Sequence, residues 1–313
     1  MKALVTGGAG FIGSHLSERL LSQGAEVVAL DCFTDYYPRA LKERNLSGLR
    51  GQRGYQFIES TIAAADLGRV LDGVTHVFHL AAQAGVRKSW GRDFQIYTEL
   101  NIDATQILLE ACVGRPIERV VYASSSSVYG DNVTLPMTED ALPQPVSPYG
   151  VTKLAAEHLC QLYHVNHGVP AVSLRYFTVY GPRQRPDMGF HRFFSALLEG
   201  RPLTQFGDGR QTRDFTFVAD AVTATANAAV RGTPGRVYNI GGGSRVSLLD
   251  VFAMIGRVTG RTVDIDHQPA QKGDMRDTYA DTSRARADLG FRPSVGLEQG
   301  LRDMFVWMET TRK

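Results

Sequence analysis

The first half of the chain alternates between two hydrophobic patterns. Lys2–Thr6, Glu26–Asp31, Tyr55–Glu59, His76–Leu80, Arg119–Ser124 and Ala171–Tyr176 are short apolar runs and predict strands. Between them, apolar positions recur at helical spacing. Ile12, Leu16 and Leu20 form one stripe, stopped by Gly24. Ala104, Ile107, Leu108, Ala111 and Cys112 form a second, and Ala155, Leu159 and Leu162 a third. Strands and helices in strict alternation predict a parallel sheet wound on both faces, which takes its ligands beyond the carboxyl ends of the strands. From Phe177 the pattern loosens. Short strands are expected at Phe215–Val218 and Val237–Ile240, a capping box at Ser247 and Asp250, and a terminal helix carrying Leu297, Leu301, Met304, Phe305 and Met308. The reading is a large sheet domain over 1–176 and a smaller C-terminal α/β lobe over 177–313, with some of its segments returning to the first domain.

Composition adds exclusions. With 313 residues, 43% hydrophobic and 21% charged, the chain is globular and long enough for two lobes in contact. A net charge of +2 without a basic stripe argues against nucleic acid as a partner. Cys32, Cys112 and Cys160 are sparse and odd in number, which fits a reducing cytoplasm and no metal site. No apolar run reaches 18 residues, and the first is broken by glycine, so no membrane segment or signal peptide is expected.

The chemistry starts at the first turn. Gly7, Gly10 and Gly13 stand between the first strand and the first helix. Glycine there lets the chain turn tightly, lets a diphosphate approach backbone N–H groups and lets the helix pack on the strand. With the acid Asp31 ending the second strand, the pattern predicts a Rossmann-type dinucleotide site. Asp31 would accept from both ribose hydroxyls and meet a 2′-phosphate with like charge, which favours NAD over NADP; the plainer alternative is a turn cap. Tyr149 and Lys153 stand four apart at a helix start and so share a face. Beside an ammonium and an oxidised nicotinamide, a phenol can become a general base; moving its pKa from about 10 to near 7 takes roughly 4 kcal/mol. The alternative is a helix-start Tyr and a solvated Lys. The run Ser124–Ser127 ends the fifth strand, where Ser124 serves the strand end and the others can orient a substrate hydroxyl.

These motifs occur in the order GGAGFIG, VALDCF, FHLAAQAGV, YASSSSVYG, SPYGVTK, LRYFTVYGP, TRDFTFVAD and VYNIGGG. Together they resemble the extended short-chain dehydrogenase/reductase family, in its sugar-nucleotide epimerase and dehydratase branch, along essentially the whole chain. The resemblance implies that Tyr149 is the base, that Lys153 holds the nicotinamide ribose and that Ser125 is the hydroxyl partner. It places Phe11 and Ile12 along the diphosphate, Leu80, Ala81 and Gln83 along NAD, and Asn101 nearby. Two departures stand out. Ser60-Thr61-Ile62 replaces the usual Gly-Asp-Ile at the adenine, and Lys272-Gly273-Asp274 replaces Pro-Gly-Asp.

Within that branch, dehydratases and decarboxylases carry an acid where this chain has Ser126-Ser127, so epimerisation is the expected reaction. Thr178 stands where neutral-sugar epimerases have Asn. The run Arg183 to Met188, with Arg87, resembles the UDP-glucuronate 4-epimerases. Ser126, Ser127 and Thr178 are neutral donors suited to a C6 carboxylate. For the UDP part, Phe206 would stack on uracil, Arg213 would hold the diphosphate, and Arg192, Asp274 and Arg276 are further candidates. Arg185 either lies over the sugar or caps a loop. The resemblance also implies a homodimer through the helices near 101–113 and 149–166. The alternatives are a neutral-sugar 4-epimerase, a uronate decarboxylase, and a non-catalytic dinucleotide sensor, which would typically have lost Tyr149 or Lys153.

Overall fold

The computed structural model describes residues 1–131, 133–271 and 273–311; the departure at Lys272 lies outside the described residues. The strands are β1 (Lys2–Thr6), β2 (Glu26–Asp31), β3 (Tyr55–Glu59), β4 (His76–His79), β5 (Arg119–Ser125), β6 (Ala171–Tyr176), β7 (Val179–Tyr180), β8 (Leu203–Phe206), β9 (Thr212–Asp214), β10 (Thr216–Phe217), β11 (Val237–Ile240), β12 (Arg245–Ser247) and β13 (Ile265–Gln268). The helices are α1 (Phe11–Ser22), α2 (Arg39–Leu46), α3 (Leu67–Val70), α4 (Phe94–Tyr97), α5 (Ala104–Cys112), α6 (Pro148–His167), α7 (Gly189–Leu198), α8 (Val218–Arg231), α9 (Leu248–Thr259), α10 (Ser283–Leu289) and α11 (Leu297–Thr311).

Seven strands form one sheet in the order β11-β6-β5-β4-β1-β2-β3, and every pairing is parallel. The order runs outward from β1 to β3 on one side and from β4 to β11 on the other. That reversal opens a crevice beyond the carboxyl ends of β1 and β4, the place where such sheets bind ligands. The Thr6 hydroxyl pins this junction. It bonds His79 Nδ1 at 2.8 Å and accepts from the Ala81 amide at 3.1 Å. Burial drives His79 down to about 3, so its imidazole is neutral and structural.

Each of the predicted strands matches the observed one to within a residue at either end. β4 stops at His79 and β5 runs on to Ser125. The strand expected at Phe215–Val218 shrinks to Thr216–Phe217, because Val218 already begins α8. On α6 the predicted stripe is one position off. Ala156, Cys160 and Tyr163 are buried, whereas Leu162 is 56% exposed. The buried face of α6 is set by polar residues, Thr152, Lys153 and Glu157 among them, which an apolar stripe does not reveal.

β11 returns to the large sheet, and one hydrophobic core joins Leu16 and Leu20 of α1 to Val222 of α8 and Met304 of α11. The division we propose near residue 176 is therefore one of function; packing is continuous across it. No helix among the described residues is long and apolar enough to cross a membrane.

Candidate active site

A cavity opens at the β1–β4 crevice. Its wall includes Gly7, Gly10, Phe11, Ile12, Gly13, Asp31, Thr61, Ile62, Leu80, Ala81, Gln83, Tyr149 and Lys153, so all but one of the residues predicted to touch the dinucleotide lie on it. The glycine loop has the shape that a diphosphate needs. Gly7 has φ +69°, and a Cβ there would lie 2.9 Å from the Ala81 amide nitrogen. A Cβ on Gly13 would lie 2.2 Å from the Gly7 carbonyl. Gly10 caps α1 without a side-chain bond, and the first-turn residues Phe11, Ile12 and Gly13 line the cavity, where an anion would satisfy free amides and meet the positive end of the helix dipole. These residues fit NAD.

Asn101 is the exception. It lies in a π-helical turn, Thr98–Asp103, buried behind the wall. Its side chain accepts from the Gln83 amide at 2.7 Å, donates to the Gln83 carbonyl at 3.0 Å, and donates to the Thr152 hydroxyl at 2.9 Å. A side chain committed to both backbone groups of Gln83 positions the cavity wall and does not form it. Thr61 is on the wall, and its hydroxyl oxygen accepts from the Ala64 amide at 3.0 Å.

Tyr149 sits in the first turn of α6, whose start is fixed by Pro148 and by Ser147 accepting from the Gly150 amide at 3.1 Å. Tyr97 packs edge-on against the Tyr149 ring at 6.3 Å, with its own hydroxyl donating to the carbonyls of Ala84 and Gly85. Burial holds the Tyr149 phenol above its ordinary value, while the Arg185 charge and the facing Ser125 hydroxyl draw it down and Asp187 opposes them. The protein alone thus does not make the phenol acidic, and the low value expected from the sequence needs a further positive charge. Lys153, one turn on, lies 4.4 Å above the Tyr122 ring, and burial lowers it to about 7. Ser124 is structural, as expected, but its partner is a carboxylate: it donates to Glu157 at 2.6 Å, and Glu157 is paired with Arg175 at 2.6 Å.

Ser125 pairs with Tyr176 in the β5–β6 register, so Ser126, Ser127 and Thr178 follow at adjacent strand ends. Ser126 is buried; Ser125, Ser127 and Thr178 are half-buried. The Ser125 hydroxyl also accepts from the Ser127 amide at 3.1 Å, which fixes the turn. Arg185 reaches the same cavity and is held by a two-pronged ion pair to Asp187, both contacts 3.0 Å. The loop carrying it is tied to α1: Arg183 pairs with Glu18 at 2.6 Å and His15 bonds the Pro182 carbonyl at 3.0 Å. Arg185 therefore both lines the cavity and belongs to a braced loop.

Most of the residues assigned to the nucleotide meet in a second cluster, which Arg87 joins. Arg87 pairs with Asp274 at 2.7 Å and stacks 4.3 Å over Phe206, with Arg192 5.7 Å from the same ring. Arg213 donates to the carbonyls of Thr212 and Arg276, both at 2.9 Å, and burial lowers its pKa. The Arg276 side chain pairs with Asp208 at 3.3 Å. The fold thus brings together Arg87, Arg192, Phe206 and Asp274, with Arg213 beside them, while Arg276 is directed to Asp208. Sequence reasoning missed Tyr36, Tyr37, Lys42 and Asp187. Of these, only Asp187, two residues after Arg185, carried a readable signal, since a short Arg-x-Asp run can close on itself. No cluster of metal-ligating side chains occurs among the described residues.

A parallel sheet with a glycine-loop crevice, and a Tyr and Lys one turn apart on its wall, define a dinucleotide-dependent enzyme of the short-chain dehydrogenase/reductase kind. A family model described as the NAD dependent epimerase/dehydratase family matches residues 3–241, and the chain belongs to that family. A Bacillus subtilis relative, described as an uncharacterized UDP-glucose epimerase, YtcB, is 45% identical over 99% of this chain and 98% of its own. A UDP-glucuronic acid 4-epimerase from Bacillus cereus, solved in complex with UDP-glucuronic acid and NAD, is 46% identical with a TM-score of 0.97, covering 99% of this chain and 100% of that one. MoeE5, solved in complex with UDP-glucose and NAD, is 42% identical with a TM-score of 0.90 over 100% of both chains.

Proposed function

We propose that the chain is an NAD-dependent UDP-glucuronate 4-epimerase that interconverts UDP-glucuronate and UDP-galacturonate. The observation that carries this reading is the end of β5: Ser125, Ser126 and Ser127 stand beside Tyr149 with Thr178 at the adjacent strand end, and no carboxylic acid occupies the turn. Bound NAD supplies reversible acceptance of hydride at C4. Tyr149, with Ser125, takes the C4 hydroxyl proton and later returns it. Lys153, one turn along the same helix, would hold the nicotinamide ribose, and Arg185 is the cation that draws the phenol down. Loss of hydride and proton leaves a C4 ketone; return of the hydride to the other face of C4, with the proton going back to the C4 oxygen, inverts the carbon.

That ketone is a β-keto acid, which loses CO₂ when the C5–C6 bond aligns with the carbonyl π system. Hydrogen bonds from Ser126, Ser127 and Thr178 to the carboxylate hold the bond out of alignment while the ring turns. Arg87, Phe206, Arg213, Asp274 and the neighbouring Arg192 and Arg276 form the proposed UDP site. Thr178→Ala tests the carboxylate contact. A hydrogen bond to a charged group is worth roughly 1.5–3 kcal/mol, so kcat/KM for UDP-glucuronate is expected to fall about tenfold or more, with CO₂ and a 4-keto pentose released. An unchanged substrate ratio with no CO₂ would remove Thr178 from the C6 site.

A second reading, a UDP-glucose 4-epimerase, is supported by the description of the Bacillus subtilis relative and by the UDP-glucose complex of MoeE5. We further propose a cytoplasmic homodimer. Val151, Leu162 and Val165 leave an apolar strip exposed along α6, and Ile96 is exposed on α4.

A further inference from the structure

Lys42 was not among the residues read from the sequence. It lies on the buried face of α2, and its side chain is only 7% exposed. Its ammonium is 3.4 Å from Asp31 Oδ1, and both residues line the dinucleotide cavity. Tyr37 and Phe33 flank it, 5.0 and 5.9 Å from ring centre to nitrogen. The Asp31 carboxylate is otherwise held by backbone: Oδ1 accepts from the Phe33 amide at 2.9 Å and Oδ2 from the Ala9 amide at 3.2 Å. Asn45, on the same face of α2, donates to the Ala9 carbonyl at 3.0 Å. One short helix thus braces both the acid and the glycine loop.

This arrangement changes the electrostatics of cofactor choice. An isolated Asp31 would repel a 2′-phosphate by charge. A buried Asp31–Lys42 pair has no net charge, and its cation is as well placed as its anion. The pair favours ribose hydroxyls because they can donate to the carboxylate, which a phosphate dianion cannot do. Removing one member of a buried pair leaves the other charge uncompensated, and an ammonium in that state takes up an anion where one is offered. Two further cations nearby are already committed: Arg39 bonds Glu59 and Glu43, and Arg185 is paired with Asp187.

We propose that Lys42 is a second residue of dinucleotide choice: its ammonium fixes the Asp31 carboxylate for the ribose hydroxyls and becomes a ligand for a 2′-phosphate once that carboxylate is neutralised. The inference rests on adenosine lying at Asp31 and is independent of the sugar substrate.

The test reads bound cofactor and does not need turnover. The parent, Asp31→Asn, Lys42→Met and the double variant are purified, equilibrated with equimolar NAD and NADP, freed of unbound nucleotide and denatured. The released dinucleotides are then resolved by chromatography. The parent is expected to release NAD; if it releases neither, the cofactor reading itself fails. Asp31→Asn should shift the NADP-to-NAD ratio toward NADP by about tenfold, the worth of one charge-assisted hydrogen bond. The double variant should lose that gain. Lys42→Met should bind NADP, relative to NAD, less well than the parent, because Asp31 then repels phosphate unopposed. This variant keeps the acid and decides the matter if Asp31→Asn fails to fold. A double variant that retains the gain, a folded Asp31→Asn without it, or a Lys42→Met with the parental ratio would overturn the proposal.

Discussion

Replacing Lys153 by Met should make the cofactor-free protein more stable at low pH while disabling the enzyme. Lys153 is buried, and burial brings its pKa from 10.5 to about 7. The folded value lies below the unfolded one, so between pH 7 and 10.5 the unfolded chain holds the extra proton. Stability therefore rises with pH through that window, and this contribution is lost as pH falls through 7. Each pKa unit corresponds to about 1.4 kcal/mol, so carrying the charge at pH 6 costs on the order of 5 kcal/mol. Met has a similar length and no charge. It forfeits the contact with the Tyr122 ring, about 1–2 kcal/mol, and leaves a net gain of roughly 3 kcal/mol at pH 6. For a chain of this size that raises Tm by several degrees, at roughly 1.5 °C per kcal/mol. The assay is thermal unfolding of dinucleotide-free parent and variant at pH 6 and pH 10, followed by circular dichroism. The gain should be clear at pH 6 and small at pH 10. A variant that melts lower at pH 6, or a difference independent of pH, would refute the idea that this lysine is held charged at the expense of stability.

Tyr149→Phe should leave folding and NAD content near parental and cut turnover by about 10²–10⁴-fold, because only the proton acceptor is lost; activity within threefold of the parent in a direct epimerisation assay would reject the assignment. Leu162→Arg, at a side chain 56% exposed on α6, should shift the proposed homodimer toward monomer in analytical ultracentrifugation. A parent that is a concentration-independent monomer would contradict the dimer.

Much of the sheet was legible because its strands are buried on both faces, as the strands of a parallel sheet are, and so read as unbroken apolar runs such as Ala3, Leu4 and Val5. The glycine loop, Tyr149 and Lys153 were legible because their chemistry imposes spacing within one turn. Residues that meet only through tertiary folding were not. Lys42 reaches Asp31 from a short, strongly polar helix, and nothing in its neighbourhood distinguishes it from a surface lysine. Tyr36 crosses from the β2–α2 connection to donate to Asp187 at 3.1 Å across a separation of 151 residues. The family resemblance places Asn101 near the cofactor; the π-helical turn directs its amide to the Gln83 backbone, behind the cavity wall. The apolar stripe on α6 misled because Thr152, Lys153 and Glu157 occupy the buried face.

The central claim is the reaction and its sugar. Purified protein should be incubated, without added NAD, with UDP-glucuronate and separately with UDP-glucose, and the products resolved by NMR and by capture of CO₂. The account predicts an equilibrium mixture of UDP-glucuronate and UDP-galacturonate, with CO₂ at trace level and much slower or no conversion of UDP-glucose. Preferential formation of UDP-galactose, or stoichiometric CO₂ with a UDP-pentose, would contradict it.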